Sequence, residues 1–331
     1  MRKIILALSL VSLGSIVVAL SIGAVNVPLN EVISSLSPSS ISLYRRGDLS
    51  GAKFIILDIR LPRVLLAYLV GFSLALSGTA SQALFKNPLA DPYVLGISGG
   101  ASIGAALALA YDPRYIEIAA FFGAVLAVYI VYLISKVNGH IPVDVLLLAG
   151  IAVGFFSHAV TSYVLYTNKD RIHQGLLWLF GTFALATWKK VGIMLGVSIL
   201  GALLLFMSWR ELNLLLLGEE SIALGLDVNM YRKLIILAIS IMTGVAVAES
   251  GVIGFIGLVS PHIMRMIVGP NHKRLLPTAA MFGGILAVLS DLIARIAIAP
   301  AEIPIGIVTA LFGAPFFAYL LVRKKRGELY A

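Results

Sequence analysis

The sequence predicts an all-α integral membrane protein built from about ten membrane-spanning helices. Of its 331 residues, 60% are hydrophobic and only 12% are charged, and the mean hydropathy is +1.00. Apolar runs long enough to cross about 30 Å of hydrocarbon recur along the chain, with Gly, Pro and charged residues between them. A soluble domain of this length could not bury so much apolar surface, so a polytopic membrane protein is expected.

The predicted spans follow one another along the whole chain, so residues 1–331 are expected to form a single transmembrane domain. The first span, residues 4–24, follows a basic start and resembles a signal peptide, but its length predicts a retained helix. The remaining spans cover residues 64–84, 95–110, 116–135, 145–166, 191–209, 234–248, 252–268, 278–298 and 305–322.

Basic residues at both ends of the chain predict its orientation. Arg2 and Lys3 precede the first span, and residues 323–326 read Arg-Lys-Lys-Arg after the last one. An even number of spans puts both termini on one side, and the positive-inside rule makes that side cytoplasmic. Residues 26–59 are then external, and the protein is expected in the cell membrane. The net charge of +9 is spread over short loops, which favours lipid headgroups over nucleic acid as its partner.

Nothing in the sequence indicates an enzyme. The chain has no cysteine, no glycine-rich phosphate loop, no nucleophile with a spaced base and no metal-binding cluster, so no cofactor is expected on it. The energy for any transport must come from a separate ATPase subunit or from an ion gradient.

A weak internal repeat is also present. Residues 74–78 resemble residues 247–251, and at the same spacing Asn87-Pro88 matches Ser260-Pro261. This predicts two related halves, approximately residues 60–166 and 230–322. Because the halves are displaced by an odd number of helices, they would be inverted, as is typical of transport proteins. Alternatively, Ser-Gly and Xaa-Pro pairs are common helix punctuation in any membrane protein.

Several longer motifs occur in a fixed order along the chain. They are Arg60-Leu-Pro-Arg63, residues 87–96, residues 251–265, residues 271–277, Ser290 to Arg295, and residues 301–315. Over about residues 60–323 the sequence resembles the permease subunits of type II ABC importers for cobalamin, haem and iron-siderophores. The resemblance implies a homodimer around a central pathway and two ATPase subunits that bind ATP and Mg²⁺. It also implies an external substrate-binding protein as a partner.

Within this resemblance, Arg60, Arg63 and Arg295 match arginines that meet carboxylates on the substrate-binding protein. If Pro62 opens the second helix, the first two guanidinium groups lie one turn apart and are expected to face the same external volume. Alternatively, Arg60 and Arg63 extend to lipid headgroups. For Arg295, an ion pair with its i−4 neighbour Asp291 is expected.

The most polar predicted internal connection is residues 210–233, which resembles the family's ATPase-coupling loop. Its small residues would permit close packing in a cleft of the ATPase subunit, and its glutamates would meet basic groups. An ordinary solvated loop is the alternative for the glutamates. The candidate coupling residues are Gly218, Glu219, Glu220, Ser221, Ala223 and Gly225.

The turn after the second predicted span contains prolines that interrupt helical hydrogen bonding. The resemblance implies an inner gate here and at the start of the fifth span, with Asn87, Leu89 and Val143 as candidates. Ordinary packing is the alternative for Leu89 and Val143. The fifth span is entered by Ile-Pro-Val-Asp at residues 141–144, where a cobalamin transporter is expected to carry small hydroxyl residues, so this departure argues against cobalamin.

The predicted function is therefore a permease subunit of an ATP-driven importer for haem, cobalamin or an iron-siderophore. Three alternatives stay open: an ion-gradient-driven secondary transporter, an importer permease for an oxyanion such as molybdate, and a membrane receptor or scaffold. A gradient-driven carrier would need protonatable residues near the middle of the membrane, of which this sequence has few.

Overall fold

The computed structural model describes residues 1–23, 26–47, 51–168, 177–218, 220–225 and 227–325. These residues form helices and two isolated β-bridges, which confirms the all-α prediction. The N-terminal part contains α1 (Arg2–Ser21), α2 (Leu29–Ser35), α3 (Pro38–Arg46) and α4 (Ala52–Phe54). The central part contains α5 (Leu61–Leu84), α6 (Ile97–Tyr111), α7 (Ile116–Ser135), α8 (Val143–Thr167) and α9 (Trp188–Met207). The C-terminal part contains α10 (Trp209–Leu215), α11 (Glu220–Ala223), α12 (Val228–Ser250), α13 (Ile256–Val268), α14 (His272–Ile296) and α15 (Ile305–Lys325).

Most of the long helices have the composition of membrane spans. Among the described residues, 7 helices are long and apolar enough to cross a membrane. Three shorter apolar helices lie at Ile97–Tyr111, Ile256–Val268 and Ile305–Leu320. Each predicted span overlaps one of these helices, so the positions of the apolar helices are confirmed. The number of crossings stays a prediction, because three of the helices are short.

The second predicted span begins earlier than its proline suggested. A π-helical segment, Ile55–Arg60, joins α4 to α5 without a break, and Pro62 lies in the first turn of α5. Proline has no N–H to donate to the preceding turn. The wider i→i+5 hydrogen-bond spacing of a π-helix accommodates this missing donor. The prediction that Pro62 is a first-turn proline of the second helix is confirmed, although the π-helical segment continues the helix on its N-terminal side.

Glycines bring the buried helices into close contact. The centre of α5 crosses α14 where Gly71 meets Gly283, and it crosses α13 where Gly78 meets Gly257. A Cβ atom on Gly78 would lie 1.7 Å from the carbonyl oxygen of Gly257. Small residues at these crossings allow backbone-to-backbone packing, which replaces the hydrophobic driving force that is missing between helices in lipid.

The two ends of the bundle carry different groups. One end, called here the arginine end, contains the last turns of α1 and α14 and the start of α5. At the opposite end, called the loop end, Ile4 and Leu8 of α1 pack beside Leu275 of α14. Asn213 of α10 accepts a hydrogen bond from the backbone of His272 at that same end, at 3.0 Å. The start of the chain and the predicted coupling segment therefore share the loop end.

The residue pairing proposed for the internal repeat is wrong. Gly78 lies inside α5, whereas Gly251 ends α12 with φ of +72°. Likewise Pro88 follows α5 in a turn, whereas Pro261 lies inside α13. Short Ser-Gly and Xaa-Pro matches do not encode equivalent packing. The order of one long, one short and two long helices nevertheless recurs in α5–α8 and α12–α15, and the inverted direction of the halves stays a prediction.

Candidate functional site

The structure brings the three predicted docking arginines together at the arginine end, but their side chains point inward. Arg60, Arg63 and Arg295 are only 6%, 8% and 5% exposed. The expectation that their guanidinium groups face an open external volume is therefore wrong for this chain. Carboxylates and backbone carbonyls of neighbouring helices take the place of water around them.

Arg63 is held between two carboxylates. Its Nε and Nη2 donate to Asp291 at 3.1 and 2.8 Å, while Nη1 and Nη2 donate to Glu302 at 3.0 and 2.9 Å. Bidentate geometry of this kind suits the planar guanidinium group. The Asp291 side chain is 2% exposed and that of Glu302 is 39% exposed, so one edge of Arg63 is buried and the other lies near the surface.

The expected ion pair between Asp291 and Arg295 is confirmed. Arg295 Nε lies 3.1 Å from Asp291 Oδ2 across one turn of α14. Asp291 thus forms ion pairs with two arginines, Arg63 and Arg295. A buried carboxylate shared in this way offsets part of the cost of taking both guanidinium groups out of water.

Two of the arginines also cap the C-terminal end of α1. Arg60 Nη1 donates to the carbonyl oxygen of Leu20 at 2.6 Å, and Arg295 Nη2 donates to that of Ala19 at 3.1 Å. The last carbonyls of a helix have no partner within the helix and carry its negative dipole, so cations are stabilising there. No pattern within α1 indicated this role, because both caps come from distant helices.

The π-helical segment is tied to its surroundings by two side chains. Tyr44 of α3 donates to Asp58 at 2.5 Å, and this hydrogen bond raises the pKa of Tyr44. Trp188 Nε1, at the start of α9, donates to the carbonyl oxygen of Leu57 at 3.1 Å. The segment that carries Arg60 is therefore anchored from two sides.

At the loop end, the predicted coupling segment forms a compact turn. Gly218 and Gly225 have φ of +75° and +82°, which glycine adopts without strain. The Ser221 hydroxyl is buried and donates to the carbonyl of Gly218. Glu220, Ala223 and Gly225 are exposed, as a docking role would require, and Glu219 lies outside the described residues.

The gate candidates lie beside a polar cleft of about 900 Å³. Val143 lines this cleft together with Lys86, a residue that sequence reasoning missed. Asn87 is exposed and accepts a hydrogen bond from the backbone of Leu89 at 3.0 Å. The structure thus puts Val143 on the cleft, while Asn87 and Leu89 shape the neighbouring turn.

The start of α12 is bonded to the entry of α8. Arg232 Nη1 donates to the carbonyl oxygen of Ile141 at 2.9 Å, and Asn229 Nδ2 lies 2.8 Å from His140 Nδ1. We call these two contacts the latch. They connect the segment that follows the coupling loop to the turn that precedes Val143. Sequence reasoning missed the latch, because these polar residues resembled ordinary loop positions.

A second, apolar hollow of about 460 Å³ is lined by Phe155, His158 and Phe255, with Asp91 at its edge. The His158 side chain is exposed and lines this hollow. Asp91 caps the short helical turn that follows it, accepting from Tyr93 N at 2.9 Å. Burial raises the pKa of Asp91 to about 6.

Comparisons with known proteins identify relatives of this chain. The FecCD transport family matches residues 10–323. The cobalamin import system permease protein of Halobacterium salinarum is 44% identical over 82% of this chain and 74% of its own length. The hemin transport system permease protein of Yersinia pestis is 39% identical over 94% of both chains. An inward-facing structure described as a metal-chelate type ABC transporter superposes with a TM-score of 0.84 at 33% identity, covering 98% of this chain and 100% of the other.

The helical bundle and these likenesses define a multi-pass membrane permease of the type II ABC importer class. The chain belongs to the FecCD transport family.

Proposed function

We propose that this chain is the membrane-spanning subunit of an ATP-driven importer that moves a metal chelate into the cytoplasm. One observation carries the proposal: the candidate docking arginines and the coupling segment occupy opposite ends of one bundle. An importer needs this separation, because the substrate arrives on one side of the membrane and ATP is hydrolysed on the other. The relatives named for cobalamin and hemin support a chelate of that size as cargo.

Two copies of the chain would surround the pathway. Exposed aromatic side chains on α8 and α15, such as Phe155 and Phe312, lie beside apolar hollows, which supports these helices as the contact between copies. The arginine end would receive an external substrate-binding protein, and the exposed turn around Ala223 would contact an ATPase subunit that binds ATP and Mg²⁺. Both termini would then lie in the cytoplasm.

Reconstituted transport tests the proposal. Proteoliposomes would contain this chain together with a candidate ATPase subunit and a candidate substrate-binding protein from the same organism. We expect haem, cobalamin or a ferric siderophore to accumulate only when ATP is hydrolysed, because the chain has no phosphate-binding loop of its own. Uptake by the chain alone under an ion gradient would contradict the proposal. Uptake of molybdate in place of every chelate would contradict the proposed cargo.

Loss of the latch is expected to uncouple ATP hydrolysis from transport. Arg232→Ala removes the donor to Ile141, and a hydrogen bond from a charged donor contributes about 1.5–3 kcal/mol. Since about 1.4 kcal/mol corresponds to a factor of ten, we expect chelate uptake per ATP hydrolysed to fall about tenfold or more. The measurement is uptake and phosphate release from the same proteoliposomes.

The matched control is Lys136→Ala, which removes a positive charge from the exposed end of α7, outside the predicted coupling loop. It should leave uptake per ATP unchanged. If Arg232→Ala also leaves that ratio unchanged, the latch has no role in coupling. An equal loss of chelate uptake and of ATP hydrolysis would instead indicate that the latch is a purely structural contact.

A further inference from the structure

Glu302 occupies the accessible edge of Arg63, and this contact limits how the carboxylate of a partner can reach that guanidinium group. The guanidinium group has two edges that carry bidentate carboxylates. One edge faces Asp291, whose side chain is 2% exposed. The other edge faces Glu302, whose side chain is 39% exposed. Any carboxylate that approaches Arg63 from outside must therefore arrive at the edge that Glu302 occupies.

The backbone around Glu302 is fixed, although its side chain reaches the surface. The turn between α14 and α15 contains an isolated β-bridge between Ile298 and Ala301. Ile303 N donates to the carbonyl of Ala294 at 3.0 Å, and Ile305 N donates to that of Gly181 at 3.1 Å. Glu302 can therefore leave Arg63 by rotating its side chain into water, without a change of the turn.

We propose that Glu302 occupies the position on Arg63 at which a carboxylate of the substrate-binding protein binds. An acidic surface of that protein docks by displacing the Glu302 side chain. This inference rests on the docking role proposed above. The exchange replaces one carboxylate by another, so Arg63 stays compensated throughout and the cost of an unpaired buried charge never arises. Competition by Glu302 also keeps the complex weak enough to dissociate after delivery of the cargo.

The test measures the Kd between this chain, in the assembled importer in detergent, and the substrate-binding protein that supports uptake in the reconstitution above. Glu302→Gln weakens the internal competitor and keeps its shape. Because an ion pair at a partly exposed site contributes little, we expect binding to tighten by about two- to fivefold at low salt. Glu31→Gln on α2 removes the same charge elsewhere on the chain, and it should tighten binding by much less.

A second variant separates exchange at Arg63 from general charge repulsion. In an Arg63→Gln background, Glu302→Gln should give no further gain, because coupled residues are not additive. If Arg63→Gln weakens binding but Glu302→Gln does not tighten it beyond Glu31→Gln, the exchange is wrong and the docking role stands. If neither Arg63→Gln nor Glu302→Gln changes the Kd, both the exchange and the docking role at Arg63 are wrong.

Discussion

Replacing Asp291 with Ala is expected to lower the free energy of unfolding by about 3–5 kcal/mol, which is typical when one partner of a buried ion pair is removed. Asp291 accepts from Arg63 at 2.8 Å and lies 3.1 Å from Arg295. Without it, Arg63 keeps Glu302 as a carboxylate partner, whereas in the described part of the chain Arg295 keeps the backbone carbonyl oxygens of Ile22 and Ala19 as its acceptors. Unfolding of the purified protein in mixed detergent and dodecyl sulfate micelles measures the loss.

The matched control for this experiment is Asp112→Ala. Asp112 forms an ion pair with Arg114 at 2.7 Å, but the Arg114 side chain is 84% exposed. An exposed pair contributes about 0–1 kcal/mol. Asp112 also caps a short helical turn by accepting from Arg114 N at 3.1 Å, and loss of a cap costs about 0.5–2 kcal/mol, so this variant should lose less stability than Asp291→Ala. Equal losses from Asp112→Ala and Asp291→Ala would show that burial does not determine the free-energy cost of losing an ion pair. That result would contradict the stabilising role given to Asp291.

Replacing Gly78 with Ala is expected to separate α5 from α13 and to cost about 3 kcal/mol or more, at or above the upper end of overpacking effects. The new Cβ atom would lie 1.7 Å from the carbonyl oxygen of Gly257 and 2.8 Å from its Cα. Both obstacles are backbone atoms, so no side-chain rotation relieves the clash. The fraction of protein that stays monodisperse after heating in detergent measures the effect.

The approach at Gly78 has a local cause. Pro261 lies one turn after Gly257 in α13 and supplies no N–H to its carbonyl. That carbonyl oxygen is directed at Gly78, where a Cα–H contact offers weak compensation. Gly196→Ala in α9 is the control, since a Cβ there meets no heavy atom within 4 Å in the described part of the chain. It should preserve stability or raise it slightly. If the fraction of monodisperse Gly78→Ala protein after heating is close to that of the original chain, the two helices move apart at little cost.

Hydropathy predicted where the long helices lie but erred at ends that polar residues or glycines shape. The span predicted from residue 234 begins six residues earlier, at Val228, because Asp227 caps it by accepting from Met230 N at 2.9 Å. The span predicted from residue 252 begins at Ile256. There Gly251 and Phe255 adopt φ of +72° and +69°, which a right-handed helix excludes.

The candidate site was predictable in part. Motif resemblance selected Arg63, Arg295 and Val143, and the structure brings the first two together and puts the third on a cleft. It did not predict that Arg232 bonds to Ile141 or that Glu302 pairs with Arg63, because both contacts join different helices. Docking, coupling and gating by these residues stay predictions.

The sequence by itself determined the fold class, the order of the helices and the family, because apolar length and motif order are properties of consecutive residues. Only the tertiary structure decided which way the charged groups point. Arg63 and Asp291 are 228 positions apart, and no local pattern relates them. In a medium with little water, a guanidinium group turns toward whichever carboxylate or carbonyl the packing brings near it, since leaving the charge unpaired costs more.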